Sequence, residues 1–491
     1  MVLIHVELDT GESFPIPEAD GFGGPIAVLE ALRRLLTGPT EPARAPLALV
    51  AGAVAGVAGP GLARCAAIGI SPLSGAVAET RAEGPYAAGL RAAGVTGVML
   101  YGRAAEPVCV VIEAGRARLE PAGAVWGQET GAATDALLAR YGDGAAVAVI
   151  GPAGEHGVRY ASIVTCRDHP LPRLGLGAVL GAKNVKAVVC VPGPEPVPVA
   201  DPGTLDRLAR WYAGAVPGNS HCVKVYAGAG LHQEALAMLG PNLGIADPWA
   251  LHARCLQLGL DPVSLGGTLA AAGVPAADVP AVVERIAAGG DPLGEGAARV
   301  APKTAMTSKG VELPPFDPRV QPNLGLGYAV APIGPRYDIV EHDLDFDPEE
   351  GLPHSYPELR LLGATVPRPR NELDVTRTAQ LLRLWSGLDA LGVCAFAATP
   401  TRPLTLGLVE ELVEAVTGER PDVLALGARR LRLQREINHR LGIGLDADTL
   451  PDRFFTEPVA LGRYAGAVLD RAAFTEAVAE LHRQLGFTEF A

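Results

Sequence analysis

The chain has 491 residues, 48% hydrophobic and 19% charged, with a formal net charge of −13. This suits a well-buried globule of roughly two to four domains. The acidic balance, without any basic run, excludes a nucleic-acid binder, and no apolar stretch of about 18 residues free of Gly or charge offers a membrane span. Seven cysteines, at 65, 109, 166, 190, 222, 255 and 394, are scattered and odd in number. They argue against a disulfide framework and for a reducing cytoplasm. Gly (60) and Pro (43) make up about a fifth of the chain and predict many turns and close backbone approaches.

The opening, MVLIHVELDTGESFPIP, reads as an alternating strand followed by a turn, without the basic and apolar regions of a signal peptide. Residues 1–198 alternate short strands with glycine-rich turns: LIHVEL, LALVAG, GVMLYG, VCVVIEAGRARLE, AAVAVIGPAG and AVVCVPG. Ala-rich helices such as IAVLEALRRLL and TDALLARYG intervene. The Pro-rich stretch 191–203 reads as a linker. Beyond it, helical periodicity dominates 203–215, 232–240, 248–258 and 279–288. A loop-rich passage at 313–338 follows, then amphipathic helices at 373–391, 404–417, 421–441 and 471–485. No internal repeat is visible.

Glycine-rich islands punctuate this pattern in order: SPLSG (71–75), IGPAGE (150–155), GLGAVLGAKNVKA (175–187), LGPNLGIAD (239–247), LGLD (258–261), DPR (317–319), GLGYA (325–329), DALGVC (389–394) and DTLPDRF (448–454). Together they resemble the tungsten-dependent aldehyde:ferredoxin oxidoreductase family over nearly the whole chain. The resemblance implies an α+β fold. An N-terminal domain of two β-sheets with helices (1–198) is followed by two mainly α-helical domains (199–311 and 312–491). It also implies a tungsten- or molybdenum-pyranopterin between them, with magnesium on the pterin phosphates as a further expectation.

The segment Asp389 to Cys394 is similar to the family's D-x-x-G-L-C/D pterin motif. A pterin edge presents adjacent N–H donors, and a carboxylate such as Asp389 offers two acceptors at matching spacing. Gly392 lets backbone approach the ring. Taken alone, the segment also reads as a helix C-terminus with a glycine stop. The second copy of the motif keeps Gly259 and Asp261, but Leu256 stands in place of its first Asp. Glu234 holds the position of the family's active-site glutamate. Desolvation would raise its pKa and let it move a proton. Tyr337 aligns with the family's companion histidine and could donate to a carbonyl, although it is a poor base near neutral pH. Arg64 matches an arginine between cluster and pterin. Arg173, Gly175 and Gly177 resemble a cofactor loop whose amides cradle a phosphate, and Pro170 and Pro172 remove donors from that loop.

The family carries a [4Fe–4S] cluster on C-x2-C-x3-C plus a distal cysteine. Here Cys222 and Cys394 match, while Val225 and Ala229 stand where two ligands belong. Two thiolates cannot hold a four-iron cube, so the expectation is little or no cluster. The resemblance implies oxidation of a small aldehyde, or the reverse reduction of an acid, with electrons leaving through a redox partner subunit and a homo-oligomer left open. Two other readings stand beside it: a non-catalytic paralogue acting as cofactor carrier, scaffold or partner subunit, and non-redox hydration chemistry.

Overall fold

The computed structural model describes residues 2–17, 22, 24–215, 232–346, 372–398 and 402–490. Its N-terminal part holds two six-stranded sheets. The first contains β1 (Val2–Glu7), β2 (Ser13–Pro17), β3 (Leu47–Ala51), β4 (Arg64–Ile70), β5 (Val77–Glu83) and β6 (Gly97–Tyr101). The second contains β7 (Val108–Glu113), β8 (Arg116–Pro121), β9 (Ala146–Ile150), β10 (Ile163–Thr165), β11 (His169–Leu171) and β12 (Val185–Val191).

The two sheets have one topology. The strand order is β2-β1-β6-β3-β4-β5 in the first and β8-β7-β12-β9-β10-β11 in the second. Every corresponding pair has the same sense: β1–β6 and β7–β12 are parallel, and the other neighbours are antiparallel. Helices fall at matching points. Gly24–Leu35 and Thr130–Tyr141 each precede the third strand, and Pro85–Ala92 and Leu176–Ala182 each precede the sixth. The expectation of no repeat is therefore corrected. The repeat is one of topology, and side chains diverge at most of its positions, so no sequence period survives.

Register makes the correspondence residue by residue. Ala51 pairs with Cys65, and Ile150 with Ile163. Carried along the hairpins, this places Arg64 level with Ser162, Arg81 with Pro170 and Glu83 with Pro172.

After Val191, the described residues are mainly helical, with one two-stranded ribbon at Thr307–Ser308 and Val311–Glu312. The helices expected from periodicity form at Pro202–Ala215, His232–Leu239, Pro248–Leu258, Val279–Ala287, Val375–Leu391, Leu406–Thr417, Val423–Arg440 and Arg471–Leu485. Two more, Pro262–Ala271 and Pro322–Val330, fall where glycines concealed them. Both begin with proline in the first turn, where its missing N–H costs nothing. Among the described residues, no helix is long and apolar enough to cross a membrane. The largest hydrophobic cluster joins sheet residues such as Val50 and Val98 to helical ones such as Leu324 and Ile437, so helices and sheets share one core.

Candidate active site

Two helix ends bring the motif residues onto the sheets, and each does so at the turn following the third strand of one repeat. Helix Val375–Leu391 stops at Gly392, in the left-handed region at φ 79°. A Cβ there would lie 2.7 Å from Gly52 Cα, just beyond β3. Helix Pro248–Leu258 stops at Gly259, with φ 73°, and a Cβ there would lie 2.8 Å from Gly151 N, just beyond β9. Only glycine satisfies both the conformation and the close approach.

The first of these junctions is ionic. Asp389 is 4% exposed. Its Oδ1 accepts from Arg64 Nη1 and its Oδ2 from Arg81 Nη1. Arg430 Nη2 lies 3.6 Å from Oδ2. Burial pushes the Asp389 carboxyl up, but the guanidiniums of Arg81, Arg430 and Arg64 outweigh it and hold the group below the usual carboxylate range. Arg64 also donates from Nε to Glu83 Oε1 at 2.6 Å. Arg430 bonds Glu79 through Nε at 3.1 Å and Ser386 Oγ at 2.9 Å. These charges come from alternate positions of β5, namely Glu79, Arg81 and Glu83, and all three are buried. Cys394 is buried beside them, its Sγ 4.0 Å from Arg64 Nη2. Cys222 lies outside the described residues, and among the described residues no group of His, Cys, Asp or Glu gathers as a metal site.

The second junction is built differently. Leu256 packs against the apolar cluster of Val111, Leu137, Val149 and Val164. Asp261 caps helix Pro262–Ala271, its Oδ2 accepting from Ser264 N at 2.9 Å. Arg173 is fully buried, with Nη1 3.7 Å from Asp261 Oδ2, and its Nη2 donates to the carbonyls of Glu312 and Pro335. The amides of Gly175 and Gly177, expected to cradle a phosphate, both donate within the chain. Gly175 N donates to Arg173 O, and Gly177 N to Ala161 O, each at 2.9 Å. These glycines serve close packing, since a Cβ at Gly177 would lie 2.6 Å from Ser162 O.

Between the junctions lies a narrow polar cavity, lined among others by Arg64, Arg81, Glu83, Glu234, Asp261, Arg336, Tyr337 and Asp338. Asp389 instead lines a smaller pocket with Ser386 and Arg430. Asp338, fixed by Arg336 Nε at 2.8 Å, is held well below the usual range. Burial raises it, but Arg336 and Arg81 outweigh burial. Among the described residues, several buried polar atoms of the cavity wall find no hydrogen-bond partner: Arg81 Nε and Nη2, Asp261 Oδ1 and Glu234 Oε1. Unsatisfied buried donors and acceptors around one cavity are what a polar ring system would complete.

A second cavity, of about 240 Å³, shares Glu234, Tyr337 and Phe396 with the first. Glu234, in the first turn of helix His232–Leu239, is buried, and desolvation raises its carboxyl to about 7. Arg173 and Arg336 pull it down; Asp261 and Asp338 push it up. Burial likewise raises the Tyr337 hydroxyl well above its ordinary value, so it stays protonated. The structure thus places Glu234 and Tyr337 on one shared wall. It adds His342, which sequence reasoning missed: Nε2 donates to Tyr337 O at 3.0 Å, and the ring lines the second cavity. Its spacing of five from Tyr337 carried no helical or strand period to mark it.

Fold and site together define a two-sheet base under helices, with a polar cavity between repeated junctions. Two family models match: "Aldehyde ferredoxin oxidoreductase, N-terminal domain" over residues 4–192, and "Aldehyde ferredoxin oxidoreductase, domains 2 & 3" over residues 275–491. The chain belongs to the aldehyde ferredoxin oxidoreductase family. It is 27% identical to the tungsten-containing aldehyde ferredoxin oxidoreductase of Pyrococcus furiosus, over 90% of this chain and 87% of that protein. The corresponding protein of Thermococcus kodakarensis is 25% identical over the same shares. The solved active site complex BamBC of benzoyl coenzyme A reductase, bound to 1,5-dienoyl-CoA, has the same fold. Its TM-score is 0.75 at 18% identity, covering 99% of this chain and 94% of that one.

Proposed function

We propose that this chain is a tungsten- or molybdenum-pterin oxidoreductase that interconverts an aldehyde and its carboxylic acid. Family membership and the tungsten in the relatives' names support the cofactor class. The observation that carries the reading is the wall shared by two cavities, with a carboxyl titrating at about 7 set in it. The pterin would lie in the cavity between the junctions, met by Arg64, Arg81 and Asp261. When bound, the metal-pterin supplies the two-electron oxidation.

The remaining chemistry belongs to side chains. An aldehyde and water give an acid, two electrons and two protons. Glu234 Oε1 has no hydrogen-bond partner among the described residues, and desolvation, which raises the carboxyl to about 7, suits it to accept one of those protons. Tyr337, held protonated, donates to the carbonyl oxygen. His342 donates from Nε2 to Tyr337 O and so holds the tyrosine's backbone in place at the cavity wall. Asp389 acts as a positioning residue: it sets the two arginines that face the cavity. The electrons pass to an external acceptor, supplied by a partner subunit.

Counting W, Mo, Fe and pterin per purified chain, with dye-linked aldehyde oxidation on the same sample, tests this. Metal and pterin near one per chain, with acceptor-dependent turnover, are expected. A preparation lacking both, or hydrating substrate without any acceptor, overturns the reading.

A further inference from the structure

The second cavity is walled by rings. Phe316, Tyr337, Trp385 and Phe396 all line it, in a chain that is only 5% aromatic. They touch in sequence. Phe316 meets His342 edge-on at 4.7 Å and Tyr337 at 6.1 Å; Tyr337 and Phe396 lie nearly parallel at 5.9 Å; Phe396 meets Trp385 edge-on at 6.1 Å. The middle of the row lies on the shared wall, since Tyr337 and Phe396 also face the first cavity. Resting on the functional reading above, we infer that this cavity is the substrate chamber and that its substrates are uncharged aromatic aldehydes, the flat ring seated on this row with its carbonyl at Glu234 and Tyr337.

Shape and charge favour that class. Aromatic rings at these separations prefer offset-stacked and edge-on partners, and a flat conjugated ring extends the row in the same geometry. A saturated ring of equal carbon number has neither the thin profile nor the quadrupole. The charges on the wall favour a neutral ligand: Arg402 is engaged by Glu341 at 3.3 Å, leaving Asp345 to oppose a carboxylate. Trp385 Nε1 is buried and donates no hydrogen bond among the described residues, so a ring bearing an oxygen substituent would find a donor there. The acid product, once ionised, meets Asp345 and the titrating Glu234, which favours its departure.

Calorimetry with unreactive amides tests this on the purified protein, whatever its metal load. Benzamide should bind about two- to tenfold more tightly than cyclohexanecarboxamide. Phe396→Leu and Phe316→Leu, each checked by thermal melting, should narrow that ratio toward one. Equal or reversed affinities in the wild type, or a ratio unchanged in both folded variants, overturn the inference. So does tighter binding of benzylammonium than of benzamide, which would mark the chamber as a cation cage. Metal and pterin are counted on the same batch. A cofactor-free batch that still prefers benzamide overturns the redox reading and keeps the chamber. A loaded batch without the preference does the reverse.

Discussion

The two junctions share a backbone and differ in chemistry. Gly52 against Gly392 and Gly151 against Gly259 are the same contact made twice, one on each sheet. Around the first, Arg64, Arg81 and Glu83 surround Asp389. Around the second, the level positions hold Ser162, Pro170 and Pro172, and Leu256 packs into an apolar cluster. The loss of the carboxylate and the loss of both arginines go together. A buried guanidinium without its carboxylate would be costly, and so would the reverse. The difference teaches that the motif's first Asp belongs to a charge network rather than standing alone against a ligand.

Breaking that network should have the largest effect. Asp389→Leu makes the first junction resemble the second but strands Arg64 and Arg81, and should cost about 3–5 kcal/mol in denaturant unfolding. Leu256→Ala should cost far less, because it removes packing from a half-buried site and strands no charge. Similar losses would mean that the junctions are not electrostatically distinct.

Glu234 belongs to neither junction, so its replacement should spare both. Glu234→Gln should lower aldehyde turnover about 10²- to 10⁴-fold while metal and pterin content stay level. Wild-type rate should rise with pH through about 7, as the base ionises, and the variant should lose that inflection. The stability effect has the opposite sense. A raised carboxyl pKa favours the fold at low pH, and that contribution is lost as pH rises from the ordinary carboxyl range through about 7. The melting temperature of the variant should therefore gain on the wild type between pH 5 and pH 8 and then level off.

The shared backbone is tested by Gly52→Ala and Gly151→Ala. Each Cβ would press into the facing helix end, and each should cost about 1–3 kcal/mol. Matched losses sharpen the equivalence of the halves; a loss in only one breaks it. The smallest change is Tyr337→Phe, which removes one hydroxyl. It should slow turnover about tenfold or less, with cofactor content unchanged.

Much of this was legible in the sequence. Glycine islands and helical periodicity gave the sheet-then-helix order, and Glu234, Tyr337, Arg64 and Asp261 do line one cavity. Strands β4 and β5 were missed, and with them Arg81, Glu79 and the network around Asp389. In VAETRAE, every second residue is charged, which ordinarily marks a solvent face. Here Glu79, Arg81 and Glu83 point into a buried ionic cluster, so the pattern concealed the strand it belonged to. Arg430 was hidden for the same reason: on a long basic helix it reads as one more surface arginine, and it is 2% exposed. The helix over GLGYA was lost to its glycines, which pack there instead of turning.

The junctions also differ in how far along the chain their partners lie. Thr130 reaches the Leu256 carbonyl across 126 positions, whereas Arg64 reaches Asp389 across 325. Loop-closure entropy separates these only slightly. Synthesis separates them widely, because domains form from the N-terminus as the chain emerges. The apolar junction has its partner strand and helix end while the C-terminal helices are still unmade. The arginines of the first sheet must wait, solvated, until residue 389 is translated. The charged junction is therefore the last part of the cavity to be assembled, and a chain truncated before helix Val375–Leu391 would contain both sheets but could never seal the site.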